Sequence, residues 1–182
     1  FWDEEKGAYI DSFTSGKRNV TRHANIFAIL FDIADKQKQE KILTNVLEND
    51  EIPAITTPYF NFFELDVLCQ MGKLTEVLDK IRSYWGGMLD LGAVTFWEEY
   101  DPSVPKEEQY DMYGDHFGKS LCHAWAASPI YFLAKYFAGL DLVNKDGVTY
   151  VLKPQMQYFT DLDCTLPVGS HGTVRLMENI WM

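Results

Sequence analysis

The sequence is poor in positive charge. It has 16 Lys and Arg against 27 Asp and Glu, a net charge of −11, and its cations form no stripe. Nucleic acid and anionic membrane surfaces are recognised through clustered positive charge, so neither is expected as a partner. No apolar run reaches membrane-spanning length, and no signal-peptide pattern occurs. Cysteine is scarce: Cys69, Cys122 and Cys164 are odd in number and form no CxxC. That argues against a disulfide framework or a zinc site, and Cys69 and Cys122 lie in apolar text where a thiol fills core space. His23, Asp115, His116 and His123 show no HExxH or similar ligand spacing, so no metal and no other cofactor is expected. An initiating Met is also missing. Phe1-Trp2-Asp3 reads as the end of a helix already under way, and the chain is read as a piece of a longer protein whose secretion signal, if any, lies upstream.

What the sequence has is aromatic side chains, 15% of the total, with five Trp and ten Tyr. Aromatic faces beside carboxylates suit a neutral sugar, and they equally fill cores. The helical text alternates between two kinds. Residues 20–34, 58–71 and 120–138 are apolar around most of the circumference, whereas 37–48 and 74–85 carry one apolar stripe each. A helix that is apolar all round must be covered all round, and a one-sided helix covers it from outside. The series reads as two concentric rings of helices, with a stack of hairpins or an irregular bundle as the other arrangements of the same pattern. Thr57 before Pro58 marks a helix start, and Gly72 and Gly86-Gly87 are read as stops. Ser128-Pro129 kinks the last apolar segment or begins a new helix.

After Gly139 the text changes. Val148, Tyr150 and Leu152 alternate, and Thr165 to Val168 and Thr173 to Leu176 flank the turn-like Gly169-Ser170-His171-Gly172. A boundary is expected near residue 140, giving a helical domain over 1–140 and the first strands of a second domain over 141–182. About three strands are too few for a sandwich of ~7.

Chemistry is expected in the long link over residues 86–119 and at the helix starts around it, because long ordered loops are often functional. The helix starts bring His23, Asn25, Thr57, Tyr59 and His123 towards one mouth if the inner helices run parallel. The link holds Phe96-Trp97-Glu98-Glu99-Tyr100-Asp101, two carboxylates between aromatics. Glycoside hydrolysis needs two carboxyl groups, and inverting enzymes hold them ~6.5–9.5 Å apart so that a water fits. Adjacent glutamates point in different directions, so one of Glu98 and Glu99 acts and the other is structural or solvated. Trp2 and Trp85 read as core, Glu107-Glu108 as solvated surface, Asp115 and His116 as a mobile rim, and His171 as a turn residue without a role.

Several segments together resemble α-L-rhamnosidases of glycoside hydrolase family 78. They are Gly92-Ala93-Val94-Thr95-Phe96-Trp97-Glu98 and Ser120 to Pro129 with His123-Ala124-Trp125, supported by Arg22-His23-Ala24-Asn25, Thr57-Pro58-Tyr59-Phe60 and Trp85 to Leu89. The resemblance implies the C-terminal part of a catalytic domain: part of an (α/α)6 six-hairpin barrel followed by the first strands of a C-terminal β-sandwich. It implies hydrolysis of terminal α-L-rhamnosyl linkages with inversion, acting on rhamnose-containing oligosaccharides or glycosides. Glu98, rather than Glu99, matches the general base. His123 matches a sugar-binding histidine, and Trp97 joins it as a candidate sugar contact. The general acid belongs to earlier helices with no matching segment here, so the isolated segment is expected to be inactive. An exported or periplasmic setting follows from the resemblance alone. The alternatives are a six-hairpin glycosidase for another sugar, such as a uronide or glucoside, and a non-catalytic carbohydrate-binding module.

Six hairpins need twelve helices, and five full ones are read here. The inner helices would then expose apolar surface, and large exposed apolar patches find partners. The isolated chain is expected to self-associate, which size-exclusion chromatography checks: a clean monomer in dilute solution would refute it.

Overall fold

A computed structural model describes residues 1–143, 149–169 and 172–179. The chain is mainly helical, and among the described residues there are three separate two-stranded antiparallel pairs. It divides into two compact units, Phe1–Ala126 and Ala127–Met182.

The first unit opens with strands β1 (Trp2–Asp3) and β2 (Ala8–Tyr9), not with the expected end of a helix. Local hydrogen bonding decides this. The Asp3 carbonyl accepts from the Gly7 N–H at 2.8 Å, and its carboxylate accepts from the Lys6 N–H at 3.1 Å. Gly7 sits at φ +58, a conformation glycine reaches at no steric cost. Trp2 and Tyr9 pair across the strands, with ring centroids 5.1 Å apart. Arg18 closes the turn by gripping both Asp3 oxygens at 2.5 Å.

Helix α1 (Arg22–Leu30) follows, then α2 (Lys36–Ile42), capped by the Asp35 carboxylate on the Lys38 N–H and extended by a wider π turn over Leu43–Leu47. Helix α3 (Pro58–Gln70) starts at Thr57 with Pro58 in its first turn, and the chain turns away at Gly72, φ +76. Helix α4 (Leu74–Lys80) runs through a second π turn, Ile81–Trp85, directly into α5 (Gly86–Asp90). Gly86-Gly87 therefore does not stop the helix. A Cβ at Gly87 would collide with the Tyr100 hydroxyl, so this glycine serves close packing, and the helix ends at Leu91 before Gly92, φ +89.

The helices share a core in which Ile26, Ile42, Val46, Leu65, Val67 and Val77 are almost wholly buried. Burying one such side chain is worth ~1.5–3 kcal/mol. Among them lies an ionic triad around a buried carboxylate. Glu64 Oε1 accepts from Lys80 Nζ at 2.6 Å and from Arg22 at 3.2 Å, and the same guanidinium donates to the carbonyls of Leu47 and Asn49. One carboxylate thus ties α1, α3 and α4 to the turn after Leu47. The helices that read as apolar all round are not covered all round. Phe31 and Ile33 are exposed, Tyr59 is 43% exposed, and Phe27, Phe60 and Phe63 form an edge-to-face cluster that is half-buried.

The expected helix over 120–138 is shorter and interrupted. Residues 120–123 are non-helical, Ala124–Ala126 form a 3₁₀ turn, and α6 (Ser128–Phe132) begins only at Ser128, before a third π turn over Leu133–Phe137. In the second unit, β3 (Leu140–Leu142) pairs with β4 (Tyr150–Leu152), and β5 (Asp161–Pro167) pairs with β6 (Thr173–Asn179) in a seven-residue register. This unit begins at Ala127, ahead of the change in sequence character near residue 140. The reason is Phe137, 1% exposed, which packs against Tyr158 and Phe159 and accepts the Gln155 N–H on its carbonyl at 2.8 Å. The helix end is thus built into the strand-bearing unit. Val148, Ser170 and His171 lie outside the described residues.

The Asp3 carboxyl is held down from its ordinary 3.8 to about 2, chiefly by the Arg18 side-chain hydrogen bonds. A depressed carboxyl stabilises the fold fully above its ordinary value and loses that contribution as the pH falls through its folded value. Thermal unfolding midpoints of Asp3→Asn should therefore lie below those of the unaltered chain at neutral pH, and the gap should close between about pH 4 and 2.

Candidate active site

Two segments far apart in sequence meet along their main chains. The Glu98 N–H donates to the Ser120 carbonyl at 2.9 Å, and the His123 N–H donates to the Phe96 carbonyl at 2.8 Å. The Thr95 hydroxyl donates to the Leu121 carbonyl beside them. This clamp holds residues 120–123 out of a helix and sets the Glu98 and His123 side chains on one site.

Glu98 is 8% exposed. Its Oε2 accepts from the Ser120 N–H at 3.1 Å, and its Oε1 accepts from the Tyr113 hydroxyl at 3.2 Å. His123 Nδ1 stands 3.9 Å from Oε2, beyond hydrogen-bond reach, and is closed off from solvent. The His123 ring stacks on Trp125, with centroids 4.1 Å apart, and Trp125 in turn lies 5.3 Å from the Tyr59 ring.

Glu99 turns the other way. Its Oε1 accepts from the Thr56 hydroxyl at 2.7 Å, and the Thr56 carbonyl accepts from the Tyr100 N–H and the Tyr84 hydroxyl. Burial pushes the Tyr84 phenol well above its ordinary value. Glu99 therefore fastens the link to the loop before α3, while Glu98 faces the histidine.

The other expected site residues divide. Trp97 is 3% exposed and packs against Tyr110; the open indole beside His123 is Trp125, 45% exposed. Asn25 is fully buried and bonds the Tyr9 main chain on both sides, so it fastens β2 to α1. His23 is exposed, with its ring against Phe60, and Tyr59 joins the Trp125 rings. His123 precedes a 3₁₀ turn and is not in the first turn of a helix. His116 and Asp111 form an exposed pair at 2.5 Å.

Sequence reasoning gave no role to Ser120, Tyr113, Lys119 or Trp125. Ser120 acts through its main chain, which no residue type announces. Trp125 sits two places beyond His123, the one signal that pointed to it. Lys119 is buried next to the clamp, and burial pushes its ammonium below the ordinary range against the opposing charges of Glu99 and Asp101. Among the described residues no group of three or more His, Cys, Asp or Glu converges to hold a metal ion, and no helix is long and apolar enough to cross a membrane.

No protein-family model matches the sequence, and a search of curated proteins gives no match. Solved structures do match. A rhamnosidase from Klebsiella oxytoca, determined with rhamnose bound, is 33% identical with a TM-score of 0.64, over 74% of this chain and 25% of that one. A family 78 rhamnosidase from Bacillus sp. GL1 is 27% identical with a TM-score of 0.79, over 96% of this chain and 18% of that one. The chain thus spans a quarter or less of the length of either protein.

Truncating Trp97 to Ala should cost about 3–5 kcal/mol in urea unfolding, as for other large buried aromatics. Trp125→Ala should cost about 1 kcal/mol or less, the value of an exposed stacking pair.

Proposed function

We propose that this chain is a segment of a family 78 rhamnosidase and carries the general-base side of a glycoside hydrolase acting on terminal α-L-rhamnosyl groups. The observation that carries the reading is the contrast between two adjacent glutamates. Glu98 is recessed beside His123 with both oxygens held by donors, and Glu99 is consumed by Thr56.

In an inverting mechanism the Glu98 carboxylate takes a proton from water as that water attacks the anomeric carbon. A second carboxyl group protonates the departing oxygen on the opposite face. That general acid belongs to the longer protein, in helices that complete a six-hairpin (α/α)6 barrel around the aromatic faces of α1 and α3. The strands of the second unit open a C-terminal β-sandwich. His123 binds a sugar hydroxyl through the ring edge that faces away from Glu98, and Trp125 offers the neighbouring apolar face. The substrate is a rhamnose-containing oligosaccharide or glycoside. The chain by itself, without the acid, hydrolyses nothing at a useful rate.

Glu98→Gln in the whole protein should lower turnover of an aryl α-L-rhamnoside by at least ~10², the scale of a lost general base, with circular dichroism unchanged. Glu99→Gln should keep most of the activity. Normal turnover by Glu98→Gln would remove the assignment, and faster turnover of another aryl glycoside in a panel would change the sugar.

A further inference from the structure

We propose that Tyr113 is a positioning residue for Glu98; this rests on Glu98 being the general base. Met112 and Asp115 exchange both main-chain hydrogen bonds, at 3.0 and 2.9 Å, around a two-residue tip of Tyr113 and Gly114. Both tip residues have positive φ, 55° and 81°. This is the geometry of a type I′ hairpin, in which glycine is at ease and a bulky aromatic is not. The tip therefore holds Tyr113 in a strained conformation, and packing does not explain it, because the side chain is 82% exposed. What the conformation achieves is reach: the hydroxyl of this surface ring meets Oε1 of a glutamate that is 8% exposed.

The hairpin is anchored against shifting. The Gly118 N–H donates to the Asp115 carbonyl at 3.1 Å and the Lys119 N–H to the Tyr110 carbonyl at 3.2 Å. A Cβ at Gly118 would strike the Met112 carbonyl, so the two arms lie in close contact. Ser120, the next residue, supplies the N–H on Oε2. One short segment thus brings a donor to each carboxylate oxygen. With both oxygens held, rotation of the carboxylate plane is arrested, and the plane presents a fixed lone-pair direction to an incoming water. The hydrogen bond to Glu98, and after it the charge on Glu98, raise the Tyr113 phenol above its ordinary value.

The test is Tyr113→Phe in the whole protein, alongside Glu98→Gln, with kcat and KM measured on an aryl α-L-rhamnoside and phenol ionisation followed by ultraviolet absorbance. Tyr113→Phe should lower kcat about tenfold with KM nearly unchanged, the scale of one hydrogen bond to a charged group. One high-pH phenol step should vanish in Tyr113→Phe and move to lower pH in Glu98→Gln. Unaltered kcat in Tyr113→Phe, with turnover abolished in Glu98→Gln, overturns the role of Tyr113 and leaves the base in place. A rise in KM alone makes Tyr113 a substrate contact and overturns positioning, as does a phenol step indifferent to Glu98→Gln. Normal turnover in Glu98→Gln defeats the base and this proposal together.

Discussion

The exchange of main-chain hydrogen bonds between residues 96–98 and 120–123 is the constraint on which the site depends. The two segments belong to a link and to the approach of the next helix, and neither is part of a helix or a strand. Once joined, they fix three things together: the recess of Glu98, the 3.9 Å approach of His123, and the N–H that Ser120 presents to the carboxylate. The cost is the first turn of the expected helix. Residues that read as helical are spent on pairing, because a buried carboxylate left without donors is more expensive than a shortened helix.

The legible part of this protein was the part governed by periodicity and by short motifs. The apolar stripes of α2 and α4, the Thr57-Pro58 start and the Gly72 turn all stand where the pattern puts them. The divergence of Glu98 and Glu99 follows from their adjacency. The illegible part was governed by contacts between distant residues. The hairpin of Phe1 to Tyr9 is set by the Asp3 and Gly7 hydrogen bonds and closed by Arg18, which is distant in sequence. Gly86-Gly87 continues a helix because Tyr100 lies against it. Trp97, read as a candidate sugar contact, is buried, since an aromatic beside an acid looks the same in sequence whether it faces the core or the solvent.

The ionic triad shows a related economy. Arg22 lies within the Arg-His-Ala-Asn run, and its guanidinium is engaged by Glu64 and by the carbonyls of Leu47 and Asn49. Buried ion pairs contribute little net stability, but removing one partner leaves an uncompensated charge. The triad therefore acts less as glue than as a condition on register: α1, α3 and α4 are compatible with burial of Glu64 only where both cations reach it. The aromatic faces of α1 and α3 carry no such condition, and their partly open rings give this unit an apolar flank.

The π turn over Ile81–Trp85 has a consequence for helical phase. It lets two consecutive residues, Tyr84 and Trp85, both turn inward, one to the Thr56 carbonyl and the other to the Ala126 carbonyl. Each residue of an α-helix advances the azimuth by about 100°. Deleting a single residue here would restore a regular ladder while swinging the whole of α5 round by that angle, carrying Gly87 off the Tyr100 hydroxyl. The bulge works as an azimuthal spacer: the length of this stretch, more than its composition, is what homologous chains would have to keep.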